Sequence, residues 1–82
     1  MIWLKDAKYL EDYTVFVQFN NGLEKVLDLE EYIKAKPNNT IFAELKELKK
    51  FRQMVYSKDL DTIVWQNGAD IAPERLYELA TK

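Results

Sequence analysis

Histidine and cysteine are both absent from this 82-residue chain. Their absence removes Ser-His-Asp and Cys-His catalysis, imidazole and thiolate zinc sites, haem ligation and disulfide cross-links. Glycine occurs only at Gly22 and Gly68, too few for the glycine-rich loops that cradle nucleotide phosphates. No apolar run approaches the roughly 20 residues that a membrane-spanning helix needs. Lys5, Asp6 and Lys8 interrupt the first ten residues, where a signal peptide would be apolar. The expectation is therefore a protein with no membrane association and no cofactor. The lack of cysteine fits a reducing, cytoplasmic location.

Hydrophobic residues make up 48% of the chain and charged residues 32%, the balance of a globular domain rather than a disordered chain. At this length one core is expected, and residues 1–82 are read as a single domain. The formal net charge of −2 speaks against broad phosphate neutralisation, so nucleic acid is not the expected partner. The charge is nevertheless segregated. Lys46, Lys49, Lys50, Arg52 and Lys58 fall in one short stretch that contains a single acid, Glu47, between two acidic blocks. Such a stretch can meet an acidic partner, and a solvated helix end gives the same pattern.

The hydrophobic periodicity points to an α+β domain built from two antiparallel hairpins and short helices. Residues 2–9 mix aromatic and β-branched with polar residues, as a strand does, and Glu11-Asp12 supplies a turn. Tyr13, Val15, Val17 and Phe19 alternate with polar residues at the two-residue period of a half-buried strand, with Phe16 on its outer face. Asn21-Gly22 then predicts a tight turn with two positive-φ residues, and Leu23 to Leu27 the returning strand. Asp28 followed by Glu31 resembles a capping box and starts a short helix. Asn39 or Thr40 starts a second, whose Ile41, Phe42, Leu45 and Leu48 share one face expected to be core. Residues 51–56 and 62–66 predict a second hairpin across a polar turn. Pro73 opens a closing helix to Ala80, with Asp70 as a candidate cap and Ile71 and Leu76 at staple spacing.

One pattern occurs twice. Phe19-Asn20-Asn21-Gly22 leads to Asp28-Leu29, and Trp65-Gln66-Asn67-Gly68 leads to Asp70-Ile71. A duplicated hairpin-then-helix unit would produce this echo, and so would two independent uses of Asn-Gly turn chemistry.

The segment from Ile63 to Tyr77 is the most distinctive, with Trp65, Asn67, Gly68, Asp70, Pro73 and Glu74 close together. Asp70 and Glu74, four residues apart, could converge as an acid/base pair or a divalent-cation site. Two carboxylates are fewer ligands than such a site usually draws on, and capping and helix-dipole roles explain both. The lone Ser57 has Lys58 beside it but no histidine anywhere. Eleven aromatic residues exceed what a small core needs, so some are expected at the surface, where they anchor protein interfaces.

These residues resemble the family named domain of unknown function 2442: Phe19 and Gly22, Asp28-Leu29, Phe51, and the closing Trp65, Asn67, Gly68, Asp70, Ile71, Pro73, Glu74, Leu76 and Tyr77. The closing motif is the specific part. The resemblance implies a compact bacterial α+β domain with no catalytic residues. Members stand alone, beside a helix-turn-helix segment, or next to a small partner in the manner of toxin–antitoxin pairs. The expected function is therefore a non-enzymatic protein-interaction or accessory domain using Trp65, Asn67, Gly68, Asp70, Pro73, Glu74, Lys49, Lys50 and Arg52. The alternatives are a small ligand or cation at Asp70 and Glu74, and weak nucleic-acid binding. A homodimer through an exposed edge strand is compatible with this pattern.

Overall fold

The computed structural model describes residues 1–82. Its first half is a three-stranded antiparallel meander, β1 (Leu4–Glu11), β2 (Thr14–Phe19) and β3 (Glu24–Asp28), followed by helix α1 (Glu30–Lys34). A 3₁₀ helix over Ile41–Lys46 and the one-turn helix α2 (Leu48–Phe51) connect the halves. The second half is a shorter meander, β4 (Val55–Ser57), β5 (Thr62–Val64) and β6 (Asp70–Ile71), followed by helix α3 (Pro73–Ala80). The doubled sequence pattern thus coincides with a doubled order of three strands and a helix.

The turns repeat as well. Each first hairpin carries an aspartate in the left-handed region, Asp12 at φ 49° and Asp61 at φ 55°. This is a conformation that Asp tolerates better than most residues. Each second hairpin closes in the same way: Gly22 N–H donates to the Phe19 carbonyl and Gly68 N–H to the Trp65 carbonyl, both at 3.0 Å. Phe19 N–H then donates to Leu23 and Trp65 N–H to Ala69. Only the glycines, at φ 92° and 94°, are left-handed. The two-residue turn expected at Asn21-Gly22 is therefore a three-residue loop with one left-handed position. Asn21 and Asn67 do different work: each side-chain oxygen accepts the N–H two residues on, from Leu23 and Ala69, at 3.0 Å.

Val15, Val17 and Phe19 of β2 are fully buried while Phe16 lies on the other face, as alternation requires. They join residues of the second sheet and the helices in one cluster of 17 buried hydrophobic side chains. Two hydrogen bonds clip the sheets together: Leu4 N–H to the Asp61 carbonyl and the Tyr56 hydroxyl to the Leu4 carbonyl, each 2.9 Å. The Cα radius of gyration is 11.8 Å, and a globule of this length needs about 12 Å. Both meanders therefore share one core.

Several local expectations change. β1 starts at Leu4 rather than residue 2, and Asp12-Tyr13 makes the turn. The second helix is broken at Glu47, whose ψ of 124° is extended. The Tyr13 hydroxyl takes the Lys46 carbonyl there, removing an acceptor that a continuous helix would use. As a result Ile41 and Leu48 are exposed, while Leu45 is buried. Phe51 ends α2 instead of opening a strand, because its N–H donates to Glu47 and its side chain is buried. β6 was not expected, since two residues carry no readable period. The Asp28 carboxylate accepts the Glu30 N–H, but no side chain completes a capping box. Asp70 lies in β6 and does not cap α3, whose start depends on Pro73 and on buried Ile71 and Leu76.

Candidate functional site

Phe51 positions the basic stretch. Its ring is buried, packing against Tyr13 at 5.0 Å and Trp65 at 5.5 Å between centroids, and its carbonyl accepts the Trp65 indole N–H at 2.8 Å. With that one residue of the turn held inward, Lys49, Lys50 and Arg52 on either side of it are exposed. None of the three enters an ion pair, because the only two pairs in the structure are Lys34–Glu30 and Arg75–Glu78. Lys46 differs, donating to Asn38 at 2.6 Å.

Beside α2 lies an open cleft of about 230 Å³ lined by Glu44, Leu45, Lys50, Gln53, Trp65, Gln66 and Asn67. It is the place where three of the residues singled out from the sequence, Lys50, Trp65 and Asn67, come together. Trp65 forms the cleft's buried wall at 4% exposure. Asn67 is fully engaged, its side-chain nitrogen donating to the Ile41 carbonyl at 3.1 Å. Asn67 thereby ties the second loop to the 3₁₀ helix. Gly68 carries the turn and lies 3.5 Å from Ile41 at the position of a Cβ. These motif residues build the face that carries the cations; Glu44, Lys50, Gln53 and Gln66 are the side chains left with unused polar groups.

Asp70, Pro73 and Glu74 do not line the cleft. Asp70 and Glu74 are exposed on β6 and the first turn of α3, and nowhere do three or more Asp or Glu side chains gather in a metal-binding arrangement. The expectation of several surface aromatics changes too: only Trp3, at 40% exposure, qualifies. Phe16 is half-buried on the outer face of β2, and the rest pack inward, several as edge-to-face pairs such as Phe19–Tyr77 at 5.1 Å. Glu44, Gln53 and Gln66 were not marked in the sequence, and no spacing could have marked them, because they meet only across the packed loop.

Two groups have shifted acidities. The Glu30 carboxylate, through its hydrogen bond and its charge, raises the Lys34 ammonium above the ordinary lysine value. Burial, reinforced by Asp61 and Asp6, raises the Tyr56 hydroxyl above the ordinary tyrosine value. Neither lies in the cleft.

Residues 4–82 match the model of a family described as "Protein of unknown function (DUF2442)", essentially the whole chain. No curated protein matches the chain, and no solved structure does. No helix is long and apolar enough to cross a membrane.

Proposed function

The chain belongs to the DUF2442 family, and on that premise we propose that it is a non-enzymatic protein-interaction module whose basic face receives an acidic segment of a partner. In a bacterial two-protein system this is the accessory, antitoxin-like half. The supporting observation is that Lys49, Lys50 and Arg52 are exposed and unpaired on a turn anchored by the buried Phe51. A buried anchor lowers the entropy lost when the face is covered. Exposed Ile41 and Leu48 add apolar area to the same connecting segment. The cleft beside Lys50 offers Gln53 and Gln66 as further hydrogen-bonding groups.

The test is quantitative co-purification from nuclease-treated lysate of the source cells, comparing wild type with the triple variant Lys49→Glu, Lys50→Glu, Arg52→Glu. A stoichiometric protein partner held by the wild type should bind the variant about tenfold more weakly or worse, and should weaken with salt. Equal retention by both proteins overturns the reading. Loss of all bound material on nuclease treatment replaces it with nucleic-acid binding.

A further inference from the structure

A free sheet edge lies away from the basic face. β3 is the outer strand of the first sheet, and its register with β2 pairs Val17 with Lys25 and Val15 with Leu27. At one end of the hairpin Phe19 N–H donates to the Leu23 carbonyl, and at the other Leu29 N–H donates to the Tyr13 carbonyl. Antiparallel alternation between these ends directs the backbone groups of Lys25 and Leu27 toward β2 and those of Glu24 and Val26 outward. No hydrogen bond from a loop, helix or side chain reaches the outward groups. Val26 is 62% exposed, and along the edge runs a groove of about 550 Å³ lined by Val26, Leu27, Tyr32 and Leu79 with Asp28, Glu31, Ala35 and Lys82. The β2–β3 register is regular, and the strand contains no proline. Those two common protections of an edge are missing.

In the register centred on Val26, a second copy of the chain does not fit this edge. Antiparallel self-pairing about Val26 sets Glu24 against Asp28 twice and Lys25 against Leu27 twice, and like charges directly opposite are destabilising. The same pattern suits a complementary strand. Glu24 and Asp28 share one face, Lys25 and Leu27 the other, and none of the three charged side chains is in an ion pair.

We propose that β3 is a strand-addition site for an extended segment of a partner protein. That segment carries cations opposite Glu24 and Asp28, an acid opposite Lys25, and apolar residues opposite Val26 and Leu27. Backbone hydrogen bonds supply affinity and the alternating side chains supply selectivity. The apolar residue opposite Leu27 points toward the groove floor formed by Tyr32 and Leu79. This surface shares no residue with the α2 face and goes beyond the function proposed for that face.

The probe is the capped peptide Thr-Arg-Val-Ile-Glu-Arg-Thr, titrated into isotope-labelled protein and followed by amide chemical shifts. Saturable shifts at Glu24 and Val26, with a Kd of ~1 mM or tighter, are expected. The control with Arg and Glu exchanged should bind about tenfold more weakly. Val26→Pro removes an outward N–H that the ladder does not use, so the fold should persist while binding is lost. Should that variant lose its dispersed spectrum, the double variant Lys25→Glu, Asp28→Lys tests the same point by inverting the preference between the two peptides. Equal response to both peptides, no saturable shift, or a concentration-dependent dimer in light scattering that Val26→Pro abolishes would overturn the proposal. Peptide binding by the α2 triple variant should be unchanged, which keeps the two surfaces separable.

Discussion

The two meanders use the same turn chemistry and are held together by different means. The first has strands of eight, six and five residues, so its backbone ladder supplies most of its cohesion. The second has strands of three, three and two residues and relies on side chains. Trp65 reaches the Phe51 carbonyl, Thr62 the Ile71 carbonyl, Asn67 the Ile41 carbonyl and Tyr56 the Leu4 carbonyl. In the first meander the equivalent asparagine, Asn21, donates to the Tyr77 hydroxyl, which belongs to the helix of the second half. A short ladder can thus hold its place in a small core when its buried polar side chains each find a carbonyl, since an unmet one would cost about 1–3 kcal/mol.

The largest test of this contrast is at the matched aromatic positions. Trp65→Ala and Phe19→Ala should each lose about 3–5 kcal/mol in chemical denaturation through the cavity alone. Trp65→Phe should still lose about 1 kcal/mol with the indole hydrogen bond, the Phe51 carbonyl keeping the Met54 N–H at 3.1 Å, whereas Phe19 makes no side-chain hydrogen bond. If Trp65→Phe is as stable as wild type, the second meander does not depend on that bond.

The turn glycines should behave alike. Gly22→Ala and Gly68→Ala each place a side chain at positive φ, costing about 1–2 kcal/mol. Neither meets a close atom: Gly22 has nothing within 4 Å, and the 3.5 Å approach to Ile41 at Gly68 is ordinary contact. A much larger loss at Gly68 would mean that the Ile41 contact is tighter in solution. Next in size, Thr62→Val keeps the shape but abandons the Ile71 carbonyl, and should lose about 1 kcal/mol. It should also loosen β6 first in amide exchange.

The smallest effect depends on pH. The Tyr56 hydroxyl is held above its ordinary value by burial and by Asp61 and Asp6. Its contribution is therefore complete below the unfolded tyrosine value of about 10 and is lost as pH rises through the folded value. The stability advantage of wild type over Tyr56→Phe should accordingly shrink above about pH 10 and stay constant between neutrality and that point. An advantage that does not change across that range would remove the hydroxyl bond from the link between the sheets.

Legibility followed the same division. The long β2 strand and the Pro73–Ala80 helix were readable because period, turn residues and proline all act within a few neighbours. The one-turn α2 and the two-residue β6 were not, since neither is long enough to show a period. The basic residues were visible as a charge run. That Phe51 turns them outward was not, because its burial depends on Trp65 and Tyr13, which are distant in the chain.

By itself, the sequence determined the α+β class, the two Asn-Gly loops, the absence of histidine and cysteine, and the position of the cations. These follow from residue type and local spacing. Only the tertiary structure decided that Trp65 is a wall of the core rather than a surface anchor, that Asn67 and Gly68 build a face without projecting from it, and that β3 keeps its outer backbone groups unpaired. Burial and pairing depend on which chain segments, many residues apart, close over one another, and no local pattern records that choice.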